Sequence, residues 1–133
     1  MKVLFFNRLF NEMGDTFNRI IEEAVPAVAR EIFVSFDSFH KRLTYPFGGT
    51  DDIIVLYIAE DLDSLIDLIS IRYLLFNIKL ILIVPDDSRE TVGIGHELHP
   101  RFLASLDDDF SLVVSVLKNM MEQMLQLEEL NQV

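Results

Sequence analysis

The chain contains no cysteine, only 5 glycines and 4 prolines in 133 residues, and half as many basic residues (11) as acidic ones (22). Without cysteine, disulfides, thiol catalysis and cysteine-ligated zinc are excluded, and nothing points to an oxidising compartment, so a cytoplasmic setting is expected. A formal net charge of -11 repels phosphate backbones and anionic lipid headgroups, so neither nucleic acid nor a membrane is expected as partner. Long apolar runs are missing too: Asp67, Arg72, Asn77 and Lys79 interrupt the longest candidate well short of the roughly 20 residues a membrane helix needs. The apolar start, Met1 to Phe6, is cut off by Asn7 and Arg8 before it reaches signal-peptide length. Gly48-Gly49-Thr50 and Gly93-Ile94-Gly95 are too short for phosphate-binding loops, and neither links the first strand to its helix.

What the chain does have is apolar residues, 50% of the total, concentrated in two runs without polar alternation: Ile53 to Ile58 and Leu80 to Val84. Strands of that kind are buried on both faces, which is the signature of a parallel sheet. The length suits a single domain, residues 1–133, burying roughly two-thirds of its unfolded surface.

Hydrophobic periodicity predicts strands at Lys2 to Phe6, Glu31 to Phe36, Ile53 to Ile58, Leu80 to Val84 and Arg101 to Leu106. Helices are predicted between them: Met13 to Val25, a short one around Ser38 to Leu43, and Leu62 to Phe76 with Leu65, Leu68, Ile69, Leu75 and Phe76 at helical spacing. Pro46 to Thr50 reads as a turn cluster, and Gly93 and Gly95 limit any helix within Asp86 to Pro100 to one or two turns. Asp107-Asp108-Asp109 supplies a cap for a last helix from Phe110 to about Leu130, whose length of about 30 Å exceeds the depth of the sheet beneath it. Strands alternating with helical crossovers predict a three-layer α/β fold: an open, parallel, five-stranded sheet with helices on both faces and an extended C-terminal helix.

The order of elements over nearly the whole chain resembles the receiver domain of two-component response regulators. Leu62 to Arg72 is similar to the segment opening that family's third helix, with Ser64 in place of its usual glycine. Arg101 to Leu106 followed by Asp107 to Phe110 is similar to its last strand, lysine-proline turn and final helix. The resemblance implies the flavodoxin-like (βα)5 fold with strand order 2-1-3-4-5. It also implies a phosphoryl-transfer site of two magnesium-holding acids after the first strand, an aspartate on the third, a hydroxyl after the fourth and a lysine after the fifth. Here those positions hold Asn7 and Arg8, Leu56 or Tyr57, Val84, and Ser105. A carboxylate attacks a phosphoryl group effectively only when cations neutralise its oxygens, and Arg8 itself repels magnesium. The resemblance is therefore to a degenerate pseudo-receiver without the phosphorylation site. Phe102 aligns with an aromatic bordering the family's output face, which reads either as a kept interaction face or as an ordinary core or edge aromatic.

Other residues carry weaker signals. Glu60, Asp61, Asp63, Asp86 and Asp87 gather at the carboxyl ends of the central strands, where open α/β sheets bind ligands; loop solvation and helix capping compete with a cation site there. His96 and His99 are three apart, not the four of a zinc-hydrolase helix, and Ser35, Ser38 and His40 lack an orienting third group. The last helix speaks more strongly. Val113, Leu117, Met120, Met124 and Leu127 recur at four-three spacing, with Val116, Met121 and Leu130 widening the stripe; the first half should pack on the sheet, and beyond Met120 little sheet remains to cover Met124, Leu127 and Leu130. An interface is expected there, the competing reading being a helix that folds back over its own core. The functional expectation is a non-enzymatic protein-protein interaction module in signal transduction, partnered by itself as a homodimer and/or by a signalling protein, with no metal and no cofactor. The alternative is a small-ligand or metal-binding flavodoxin-like domain using Asn7, Arg8, Glu60 and Asp61.

Overall fold

Five strands, β1 (Lys2–Phe6), β2 (Arg30–Phe33), β3 (Ile53–Ile58), β4 (Lys79–Val84) and β5 (Phe102–Ser105), pair in parallel throughout in the order β2-β1-β3-β4-β5. The structure, a computed structural model, describes residues 1–45 and 52–131, the side chains of 128, 130 and 131 excepted. Helices α1 (Glu12–Ala24), α2 (Phe36–Thr44), α3 (Leu62–Ser70), α4 (Arg89–His96) and α5 (Phe110–Asn131) connect and cover the strands. This is the flavodoxin-like α/β fold expected from the sequence, with the expected strand order and long last helix. None of the helices is long and apolar enough to cross a membrane among the described residues. The turn expected at 46–50 lies outside the described residues.

The absence of alternation in β3 and β4 follows from burial on both sides. Val3, Phe5, Ile54, Leu56, Ile58, Ile81, Ile83 and Ala104 share one apolar cluster with Phe17 and Ile21 of α1 and Val113, Leu117, Met121 and Met124 of α5. Their neighbours Leu4, Phe6, Val55, Tyr57, Leu80, Leu82 and Val84 share the other with Phe39 and Leu43 of α2, Leu65 and Leu68 of α3 and Leu98. Each strand side chain thus meets helices whichever way the pleat points it.

Most boundaries fall within two residues of the expectation, and the larger differences have local reasons. β2 ends at Phe33 and α2 begins at Phe36, because the Ser35 side chain accepts from the Ser38 N–H and caps the helix two residues earlier than its apolar period suggests. α3 stops at Ser70: the Ile71 N–H turns to the Leu68 carbonyl, a tighter turn follows at Arg72–Leu74, and Asn77 lies in the left-handed region at φ 68°. Leu75 is still buried, so the apolar spacing continues past the point where the helix ends. α4 forms two turns, at the upper end of the expected range, capped by Ser88.

The last correction concerns α5, which has 22 residues and so spans about 33 Å. Met124 lies in its second half, yet it is only 1% exposed. It belongs to the cluster that holds Ile21 of α1 and Val25 and Ala29 after that helix, and α1 packs against α5. Val113 and Leu117 are core residues on the same stripe.

Candidate functional site

The strand order brings the six positions singled out by the receiver resemblance to one place. Phe6 lies opposite Tyr57, Tyr57 opposite Leu82 and Val84 opposite Ser105, so Asn7, Arg8, Leu56, Tyr57, Val84 and Ser105 all sit at or near the carboxyl ends of the four adjacent strands β1, β3, β4 and β5. Open α/β sheets bind ligands at this edge. Their surroundings, however, are those of a closed structural layer.

Asn7, 2% exposed, directs the turn between β1 and α1. Its Nδ2 donates to the Gly14 carbonyl and to Asn18 Oδ1, both at 3.1 Å, and its Oδ1 accepts from the Leu9 N–H at 3.0 Å. The turn is tight enough that a Cβ on Gly14 would overlap the Leu9 carbonyl, so this glycine is required by close approach. Gly14→Ala should cost about 3 kcal/mol, the upper part of the range for overpacking because the obstacle is backbone. Urea denaturation checks this as a lowered midpoint at unchanged slope; an unchanged midpoint would mean the turn relaxes freely.

Leu56 and Tyr57 are both fully buried, on opposite faces of β3. The Tyr57 ring stacks on Phe6 at 4.4 Å between centroids, and its hydroxyl lies 2.8 Å from the Ser64 carbonyl, to which it donates, and 3.0 Å from Ser64 Oγ. Burial pushes the phenol well above its ordinary pKa, against the opposing pull of the Ser64 hydrogen bond, so it stays protonated. Val84 is core, and Ser105 is buried within a turn in which its N–H donates to Asp108 Oδ2 at 2.8 Å and its Oγ accepts from the Asp107 N–H at 3.2 Å.

Arg8 is the partly exposed member of the set and pairs with Glu60 at 3.5 Å. A cavity of about 450 Å³ opens beside it, lined by Arg8, Phe10, Val34, Phe36, Asp37 and Asp67 among others. The neighbouring acids act singly. Asp61 caps α3 by accepting from the Ser64 N–H at 2.8 Å, Asp86 accepts from the Ser88 N–H ahead of α4, and Asp109 accepts from the Ser111 N–H at the start of α5. Hydrogen bonds from Ser88 and Ser111 hold the carboxyls of Asp86 and Asp109 below their ordinary range. Among the described residues, no three side chains of His, Asp and Glu come together as a metal-binding group. His96 and His99 lie exposed at and just past the end of α4, and the His40 ring packs against Phe36 while Ser35 caps α2.

The expected interface residues divide. Val113 and Leu117 are buried, as expected of the half that packs on the sheet, and Met124, expected to lack cover, is buried with them. Met120 and Phe102 are half-buried against the same cluster. Leu127 is 50% exposed, and Leu112 and Leu125 are exposed with it, whereas the side chain of Leu130 lies outside the described residues.

Sequence reasoning missed the Asn7 hub and the bond between Tyr57 and Ser64. The first had a signal in an asparagine that follows a buried strand and precedes a glycine in the next helix. The second had only a tyrosine at a strand end and a serine in the first turn of the following helix. Compared with known proteins, the chain matches no family model, no curated protein and no solved structure.

Proposed function

We propose that the chain is a pseudo-receiver: a domain of receiver-like build that does not use aspartyl phosphorylation and acts through protein-protein contact in signal transduction, as a homodimer and/or with a signalling protein. The observation that carries this reading is the state of the carboxyl edge. The position of the acceptor is held by Leu56 or Tyr57, both sealed in the core, and the position of the magnesium-holding acids by Asn7, whose amide is used inside the β1–α1 turn, and by cationic Arg8. Phosphoryl transfer depends on placing an exposed nucleophile among neutralising cations, and this edge has no exposed nucleophile on β3 and no acid at the two positions after β1. The exposed leucines of α5, Leu112, Leu125 and Leu127, support contact between copies, since apolar side chains left out of a core favour an interface.

Two measurements test the reading together. Incubation with acetyl phosphate and magnesium should leave the mass of the intact chain unchanged, and an acid-stable or hydroxylamine-sensitive phosphoryl adduct would overturn it. Light scattering over a wide concentration range should find a dimer that Leu125→Glu with Leu127→Glu converts to monomer; a monomer throughout removes the homodimer and leaves the signalling protein as partner.

A second reading, a small-ligand site at the carboxyl edge, is favoured by the cavity beside Arg8, where the guanidinium is a fixed cation next to the exposed ring of Phe10. Chemical-shift changes confined to the loops around Arg8, Val34 and Glu60 on adding nucleotides or phosphate would support it, and silence across that panel would count against it.

A further inference from the structure

We propose that the opposite end of the sheet, the amino edge of β4 and β5, carries a docking groove for an acidic peptide segment of another protein, one presenting a large apolar side chain with carboxylates beside it. This surface is separate from the carboxyl edge and from the exposed leucines of α5, so the proposal stands whichever reading of those holds.

A cavity of about 710 Å³ opens between the chain entering β4 and the chain entering β5, within the range of binding sites of roughly 300–1,000 Å³. Buried Leu75, Leu80 and Leu98 help line it. Its walls include Tyr73 and Phe76, which are 68% and 82% exposed, so two aromatic rings stand in water at one site. Aromatic and arginine side chains are the residues that anchor protein interfaces, and Arg72 lines the groove beside these rings. The walls are also set in advance. Asn77 (φ 68°) and His99 (φ 51°) are the two non-glycine residues with positive φ among those described, and both line this groove. The Ile78 N–H donates to the Leu75 carbonyl and the His99 N–H to the His96 carbonyl, both at 3.0 Å, which fixes the two loops before a ligand arrives and reduces the ordering that binding requires.

Charge selects the occupant. Helices in this fold start at the carboxyl edge and end at the amino edge, where cations complement the helix dipoles. Lys2, Arg30, Arg72, Lys79 and Arg101 all lie at the amino edge, at the strand starts or the chain leading into them. Lys2 donates to the Val28 carbonyl and Arg30 to those of Glu22 and Val25, so both are committed to helix and turn ends. Arg72, Lys79 and Arg101 make no ion pair among the described residues, and the Arg101 N–H donates to the Leu80 carbonyl, which sets Arg101 beside the start of β4. Glu97 is the acid among the described lining residues, and Asp52 stands ahead of β3. Arg72 in the lining, opposed by Glu97, and Lys79 and Arg101 on the chain flanking it give this spot an excess of positive charge on a chain of net charge -11, which steers a short acidic segment to it. A nucleic acid would extend beyond three cations into the acidic remainder, which favours the peptide.

The test selects a phage-displayed random peptide library on the full chain and measures the enriched peptides by fluorescence anisotropy, beside a single-stranded oligothymidylate. Enriched sequences should be acidic with a central aromatic or leucine. Arg72→Glu with Arg101→Glu should weaken them by about tenfold or more, as should Phe76→Ser separately. These three positions are exposed, so melting curves should be unchanged. No enrichment, enrichment of basic peptides, affinity indifferent to both variants, or preferential binding of the oligothymidylate would each overturn the proposal.

Discussion

Tyr57→Asp is expected to abolish the folded state at neutral pH, read as loss of the near-ultraviolet circular dichroism and of any cooperative thermal transition. The substitution would place an acceptor carboxylate on the third strand, as receiver chemistry requires, but at a position with no access to water. Tyr57 is stacked on Phe6, lies 5.5 Å from Phe39 between centroids and is bonded to Ser64. Removing an aromatic of this kind costs about 3–5 kcal/mol, and burying an unpaired carboxylate several more. Together these losses reach or exceed the stability of a domain in the lower half of the usual range of about 5–15 kcal/mol. Tyr57→Phe provides the comparison: it keeps the stack and loses the hydroxyl bond, so a folded protein weaker by about 1–2 kcal/mol is expected. A folded Tyr57→Asp variant that takes phosphate from acetyl phosphate would contradict both the burial account and the proposed loss of phosphorylation.

The second large effect separates two methionine and leucine positions on one helix. Met124→Glu should lower stability by about 4 kcal/mol or more, from a lost buried side chain and a charge placed in the core. Leu127→Glu, three residues on, should change stability by no more than about 0.5 kcal/mol, as exposed positions do. Urea midpoints measured side by side check the contrast. Equal losses would mean that the end of α5 packs as one unit, and equal indifference that it detaches from α1. Because Met124 is a core residue, a change in solution mass after its replacement would report unfolding, whereas the same change after replacing Leu127 would report an interface.

Much of the fold was legible because burial on both faces leaves a mark in sequence: β3 and β4 cannot alternate, and their runs are visible directly. Capping was legible too, since Asp61 and the acids before α5 are used as their chemistry suggests. The extent of α3 was not, because Leu75 keeps the apolar spacing while the backbone has already left the helix. The same error hid the amino-edge groove: Phe76 reads as one more core residue of a helix, whereas it lies beyond the end of α3 and is exposed. Met124 failed for a different reason, in that α5 also packs against α1, distant in sequence, and a count of strands beneath α5 leaves that helix out. At the carboxyl edge the identity of the side chains was readable, but not that Asn7 would be used up by Gly14 and Asn18.

The strand order also governs the sequence of events as the chain is made. β1 emerges early and lies next to the centre of the sheet, yet its neighbour β3 follows only after α1, β2 and α2 have been synthesised, since Lys2 pairs with Ile53. Until then Val3, Leu4, Phe5 and Phe6, apolar on both faces, have at most β2 along one edge and lack their other neighbour. Pairing at such separation is slow, and an apolar strand kept waiting is exposed to association with other nascent chains. Lys2 at one end of β1 and Asn7 and Arg8 at the other flank it with polar and charged groups, the arrangement that discourages such association. Lys2, Asn7 and Arg8 would thereby protect the newborn strand.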